Sequence, residues 1–68
     1  MTGEFIKALR IKLGMSQEQF SECYHIPISA LRNWEQDRRN PDPSAQAFLN
    51  VIDAIPDVVK NILSNRNR

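Results

Sequence analysis

Residues 16–36 have room for two short helices, one tight turn and little else. Ser16 and Gln19 are a hydroxyl and an amide three residues apart, the capping-box spacing that starts a helix. Phe20 and Tyr24 then fall four apart, on one inner face. Ser21 is small and lets two helices cross closely. Tyr24-His25-Ile26-Pro27 is the turn. Ile26 precedes a proline and is biased to extended backbone, and Pro27 suits the first position of a new helix, where no N–H is required. In that second helix Leu31 and Trp34 form an inner stripe, while Ser29, Arg32, Asn33 and Gln36 share the opposite face. A helix–turn–helix at about residues 17–36, apolar inside and polar outside, constrains everything around it.

The flanking punctuation predicts three more helices and no strands. The first covers residues 3–13, with Thr2 as its cap and Phe5, Ile6, Leu9 and Leu13 facing inward. Gly14 stops it, because glycine accepts the left-handed conformation. The reading of the third helix runs over residues 27–38. Asn40-Pro41-Asp42-Pro43 is a turn by composition, and Asp42 and Pro43 then open a fourth helix with Phe48, Leu49, Ile52 and Ile55 inward. Pro56 opens a short fifth helix carrying Val58, Val59, Ile62 and Leu63. The polar tail, residues 64–68, is expected to fray. The expectation is one all-α, compact five-helix domain spanning residues 1–68.

Composition narrows the function. A chain of 68 residues buries only part of its surface, so dimerisation would help it. Its hydrophobic fraction of 41% and charged fraction of 25% are globular values and argue against wholesale disorder. A net charge of +1 argues against indiscriminate coating of nucleic acid, but leaves room for specific binding by a few placed basic groups. The single cysteine, Cys23, permits no intramolecular disulfide and fits a reducing, cytoplasmic setting. No apolar run reaches membrane-spanning length. Met1-Thr2-Gly3-Glu4 is not basic, and Lys7 and Arg10 interrupt the apolar positions after it, so no secretory signal is read. Cys23 and His25 stand two apart without further ligands, and a structural role is preferred to a metal site or a nucleophile–base pair. There is no phosphate loop, metal set or triad spacing, hence no catalytic residue, no cofactor and no enzyme reading.

The outer face of the second helix of the pair has the chemistry to read DNA. Bases expose distinct donors and acceptors in the major groove, where arginine forks onto guanine and asparagine pairs with adenine. Ser29, Arg32 and Asn33 supply such groups. Ile28 either packs on a thymine methyl or sits at the edge of the core, and both readings stand. Gln17 lies at a helix N-terminus, where backbone N–H groups and the positive dipole end bind phosphate. Arg38 and Arg39 follow the helix and are placed to hold the sugar-phosphate backbone. Trp34 lies on the Leu31 side and is read as core.

Residues 13–20, 26–36 and above all 34–41 resemble the lambda-repressor-like (XRE) helix-turn-helix family, over about residues 5–63 of the chain. Trp34-Glu35-Gln36-Asp37-Arg38-Arg39-Asn40-Pro41 is similar to the Trp-Glu-Gln-Gly-Arg-Arg-x-Pro pattern of HigA- and MqsA-type antitoxins and related small repressors. The resemblance implies DNA contacts at Gln17, Ile28, Ser29, Arg32 and Asn33, with backbone contacts near Arg38 and Arg39. It also implies a pair between Arg10 and Glu35, which we read as structural because a semi-buried charge needs a partner. His25 and Asp37 stand where the family carries glycine, so both are expected at positive φ, at some cost in stability.

A single helix-turn-helix reads only a few base pairs, so the expected partner is a palindromic double-stranded operator bound by a homodimer. Val58, Val59, Ile62 and Leu63 are many apolar residues for a short terminal helix, and are expected to divide between core and dimer seam. The expected function is a sequence-specific transcriptional repressor, including the autoregulating antitoxin of a toxin–antitoxin operon. The alternative is a protein-binding antitoxin whose main role is to neutralise a toxin enzyme. A domain that fills residues 3–63 leaves little sequence for a toxin-binding extension, which favours repression.

Overall fold

In the computed structural model, which describes residues 1–66, the elements follow in the order α1 (Gly3–Lys12), α2 (Gln17–Tyr24), α3 (Ile28–Glu35), α4 (Pro43–Ala54) and α5 (Pro56–Arg66). No strand occurs among the described residues. Three helix starts are capped by side chains. Thr2 accepts from the Phe5 N–H at 3.1 Å, Asp42 accepts from the Ala45 N–H at 2.8 Å, and Ser16 and Gln19 close a reciprocal box at 3.0 and 2.8 Å. Pro27 precedes α3 without a side-chain cap, and the helix proper begins one residue later, at Ile28.

The ends of α1, α2 and α3 use one device. Gly14 (φ 71°), His25 (φ 56°) and Asp37 (φ 57°) each take the left-handed conformation. The chain then folds back so that Met15, Ile26 and Arg38 donate their N–H groups to the carbonyls of Arg10, Ser21 and Asn33, at 3.2, 3.1 and 2.9 Å. This reversal corrects the sequence-based end of α3. The helix stops at Glu35 rather than continuing to Arg38, because the turn at Asp37 redirects the N–H groups of Arg38 and Arg39 to the Asn33 carbonyl. At the end of the chain α5 runs on through residues 64–66 of the expected polar tail, and residues 67–68 of that tail lie outside the described residues.

Ile6, Leu9, Phe20, Tyr24, Ile26, Leu31, Leu49, Ile52 and Val59 form the buried core, with Leu13, Trp34, Phe48 and Leu63 partly buried around it. The helices that pack together are α1 with α3, α2 with α3 and α5, and α4 with α5. Phe20 and Tyr24 rings meet at 4.9 Å between centroids, tilted by 54°. The Tyr24 hydroxyl donates to the Pro56 carbonyl at 3.3 Å and so ties α2 to the start of α5. Two residues expected inward are not: Phe5 is 39% exposed and Ile55 46% exposed. Phe5 lies at the margin of the α1 stripe centred on Ile6 and Leu9, and Ile55 sits in the break between α4 and α5, where helical spacing no longer sets its direction.

Helix α1 and the end of α3 approach unusually closely. A Cβ on Gly3 would lie 2.4 Å from the Trp34 carbonyl oxygen and 2.6 Å from that of Glu35. Only glycine fits that contact. The Gly3 N–H, the first of α1, donates to the Asp37 carboxylate at 2.9 Å. The end of α3 therefore caps the beginning of α1.

Candidate nucleic-acid interface

Helix α3 is divided lengthwise. Leu31 is fully buried, and Trp34 and Glu35 face inward with it, while Ser29, Arg32 and Gln36 are exposed and Asn33 and Ile28 are half-buried at the boundary. At 1.5 Å rise per residue the helix is about 12 Å long, comparable with the width of a major groove. Gln17 and Glu18 open α2 alongside it, and the first N–H groups of a helix have no intrahelical acceptor.

The inner edge of this surface is held by a buried ion pair. Arg10 Nε and Nη2 donate to the two Glu35 carboxylate oxygens at 2.7 and 2.9 Å, and Arg10 Nη1 donates to the Met15 carbonyl at 3.0 Å. The side chains are only 13% and 4% exposed. Burial alone would push the Glu35 carboxyl up. The hydrogen bonds from Arg10 and Gln17, with the charges of Arg10 and Lys7, outweigh it and hold the carboxyl below its ordinary value. Arg10 is correspondingly raised, chiefly by its hydrogen bond to Glu35. This pair joins α1 to α3 and fixes where the outer face of α3 points.

Hydrogen bonds run outward from the pair. Gln17 Nε2 donates to Glu35 at 3.2 Å, and Gln17 Oε1 accepts from Arg32 Nε at 3.4 Å. Arg32 Nη2 reaches the Glu18 carboxylate at 3.3 Å. Gln17, read from sequence as a phosphate donor, thus has one amide hydrogen already committed within the protein. Glu18 was not singled out in the sequence, because fourteen residues and a turn separate it from Arg32 and no local spacing signals the contact. Arg38 and Arg39 are exposed beyond the end of α3, and the Arg38 guanidinium donates to the Gln36 side chain.

The residues of the expected dimer seam separate. Val59 is 7% exposed and belongs to the core, and Leu63 is partly buried against it. Val58 and Ile62 are each 49% exposed. Cys23 and His25 line an open cleft of about 300 Å³ with Gln19, Glu22, Lys60 and Ser64, and no group of three or more potential metal ligands occurs among the described residues.

A family profile described as a helix-turn-helix domain matches residues 3–67. The crystal structure of an XRE-family-like helix-turn-helix protein from Agrobacterium tumefaciens superposes with a TM-score of 0.85 at 43% identity, covering 93% of this chain and 98% of that one. The chain belongs to the XRE-type helix-turn-helix family. It is also 32% identical over 59 residues to Antitoxin MqsA of Escherichia coli K12, a match covering 87% of this chain but 45% of that protein's length. Within this family setting, the two departures from glycine have visible geometry. His25 and Asp37 both carry positive φ, and Asp37 offsets its backbone cost with the bond from Gly3.

Proposed function

We propose that this XRE-family chain is a sequence-specific, double-stranded-DNA-binding transcription regulator, and more narrowly a repressor that occupies a palindromic operator as a homodimer. The observation that carries the reading is the divided α3: Ser29 and Arg32 stand on the outside, and Asn33 at the boundary, of a helix whose inner side is committed to packing and to Glu35. Ile28 lies at the edge for an apolar contact, and Gln17, Arg38 and Arg39 flank the face where phosphates would pass. Exposed Val58 and Ile62 supply the apolar part of the dimer seam. The chain acts by occupancy, without catalysis, in the cytoplasm.

Selection of fragments from the source genome by the purified protein tests this. The expected result is a palindromic site with half-sites about one helical turn apart. Arg32→Ala and Asn33→Ala should each lose about 1–3 kcal/mol of specific affinity and relax preference at one base pair per half-site. Arg39→Ala should weaken all DNA alike and reduce the salt slope by roughly one unit. Specific and non-specific affinities that are unchanged in all three variants would end the reading.

The similarity to Antitoxin MqsA favours a second reading, an antitoxin that represses its own operon or neutralises a toxin enzyme by direct binding. The chain spans 45% of that relative, so the toxin partner would have to dock on the helix-turn-helix domain itself or on sequence outside the match. An operator beside a two-gene operon supports autoregulation, whereas no recovered site moves protein binding to first place.

A further inference from the structure

Arg32 is oriented before any ligand arrives. Its guanidinium has two usable edges: a side edge formed by Nε and one Nη2 hydrogen, and an end edge formed by Nη1 and the other Nη2 hydrogen. The side edge is taken, with Nε on Gln17 Oε1 at 3.4 Å and Nη2 on Glu18 at 3.3 Å. Gln17 is itself anchored to Glu35, which is locked to Arg10. A chain of side chains therefore runs from the buried pair to the tip of an exposed arginine. The end edge, with two parallel N–H groups, meets no partner among the described residues and is the edge that matches the O6 and N7 acceptors of guanine.

We infer that Gln17 and Glu18 are positioning residues that preset Arg32 as an end-on fork for guanine, so that one G·C base pair per half-site is specified by Glu18 acting through Arg32. The inference rests on the regulator reading and names the base pair that site selects. Its physical content is entropic and geometric. A free arginine loses rotamer freedom when it binds, and an arginine already held on its side edge loses less. Holding it also disfavours the side-on approach through which the same residue would hold a phosphate. A carboxylate on a DNA-facing surface repels phosphates, and Glu18, 72% exposed, has that cost in any complex. Its contribution is therefore to selectivity rather than to overall affinity.

In vitro selection from a random duplex pool, followed by affinities for every single-base-pair variant of the chosen site, tests this in the full chain. Arg32→Ala should lose roughly tenfold of the preference for one G·C pair, the scale of one bidentate contact. Glu18→Ala should lose roughly threefold at that same pair only, the scale of an exposed ion pair, and Glu18→Gln, which keeps the acceptor, should lose less. Both Glu18 variants should gain affinity for unrelated duplex to the same extent, since both remove one negative charge. A nitrogen-15 spectrum of the free protein should show the Arg32 Nη hydrogens exchanging faster in Glu18→Ala than in the parent, because the Glu18 carboxylate holds Nη2. Unchanged preference in Glu18→Ala alongside lost preference in Arg32→Ala overturns the positioning role. So does a parent site with no G·C pair that depends on Arg32. A parent that selects no site overturns the regulator reading itself and this inference with it, and the spectrum then reports whether Arg32 is held at all.

Discussion

Glu35 shows how one side chain ties stability to pH. Its carboxyl lies below the ordinary value of 4.5 in the folded chain. A carboxyl depressed by folding adds stability that is complete above its unfolded value and is lost as pH falls through the folded one. The parent should therefore lose stability as pH is lowered from about 5 into the acid range, read as a falling urea midpoint, and Glu35→Gln should show a shallower decline. At neutral pH, Glu35→Ala strands the Arg10 guanidinium and should cost about 3 kcal/mol in the same titration. The Arg10–Glu35 pairing followed from family resemblance together with the need of a semi-buried charge for a partner. The involvement of Gln17 did not, because an amide has no charge to demand a partner and its sequence position suited phosphate equally well.

Among the elements, the ends of helices were harder to read than their starts. Thr2, Ser16 and Asp42 cap by side-chain chemistry that is local in sequence, so each start could be placed to within a residue. The helix ends depend on left-handed residues, and only Gly14 announces one by its type. At Asp37 the conformation is supported from 34 residues away by the Gly3 N–H, a contact no local pattern contains. This predicts that Asp37→Ala loses both the side chain that tolerates positive φ and the cap on α1, costing about 2 kcal/mol. Asp37→Asn keeps an acceptor and most of the stability, and thermal unfolding of the two variants checks the difference. Hydrophobic periodicity located the core face of α2, α3 and α4, and failed at Phe5 and Ile55, which flank the ends of the stripe where packing rather than spacing decides exposure.

At the scale of the whole molecule, the apolar excess of α5 was legible in the sequence, but its division was not, because spacing alone does not say which neighbour reaches which side. Val59 is core, while Val58 and Ile62 stand on the surface. Val58→Asp with Ile62→Asp should leave the helical circular dichroism intact and shift sedimentation to the monomer, with operator affinity lost. Val59→Asp should instead unfold the chain, since it places a charge in the core. A dimer that survives the first pair of changes moves the interface elsewhere. The lengthwise division of α3 has its own consequence for how such a molecule diversifies. Ser29 is exposed and its side chain makes no hydrogen bond among the described residues, so its replacement should leave foldability alone and give selection a nearly neutral route to new sites. Arg32 is different: a successful replacement there leaves the Glu18 carboxylate without its partner, so a lineage that rewrites position 32 should rewrite position 18 as well.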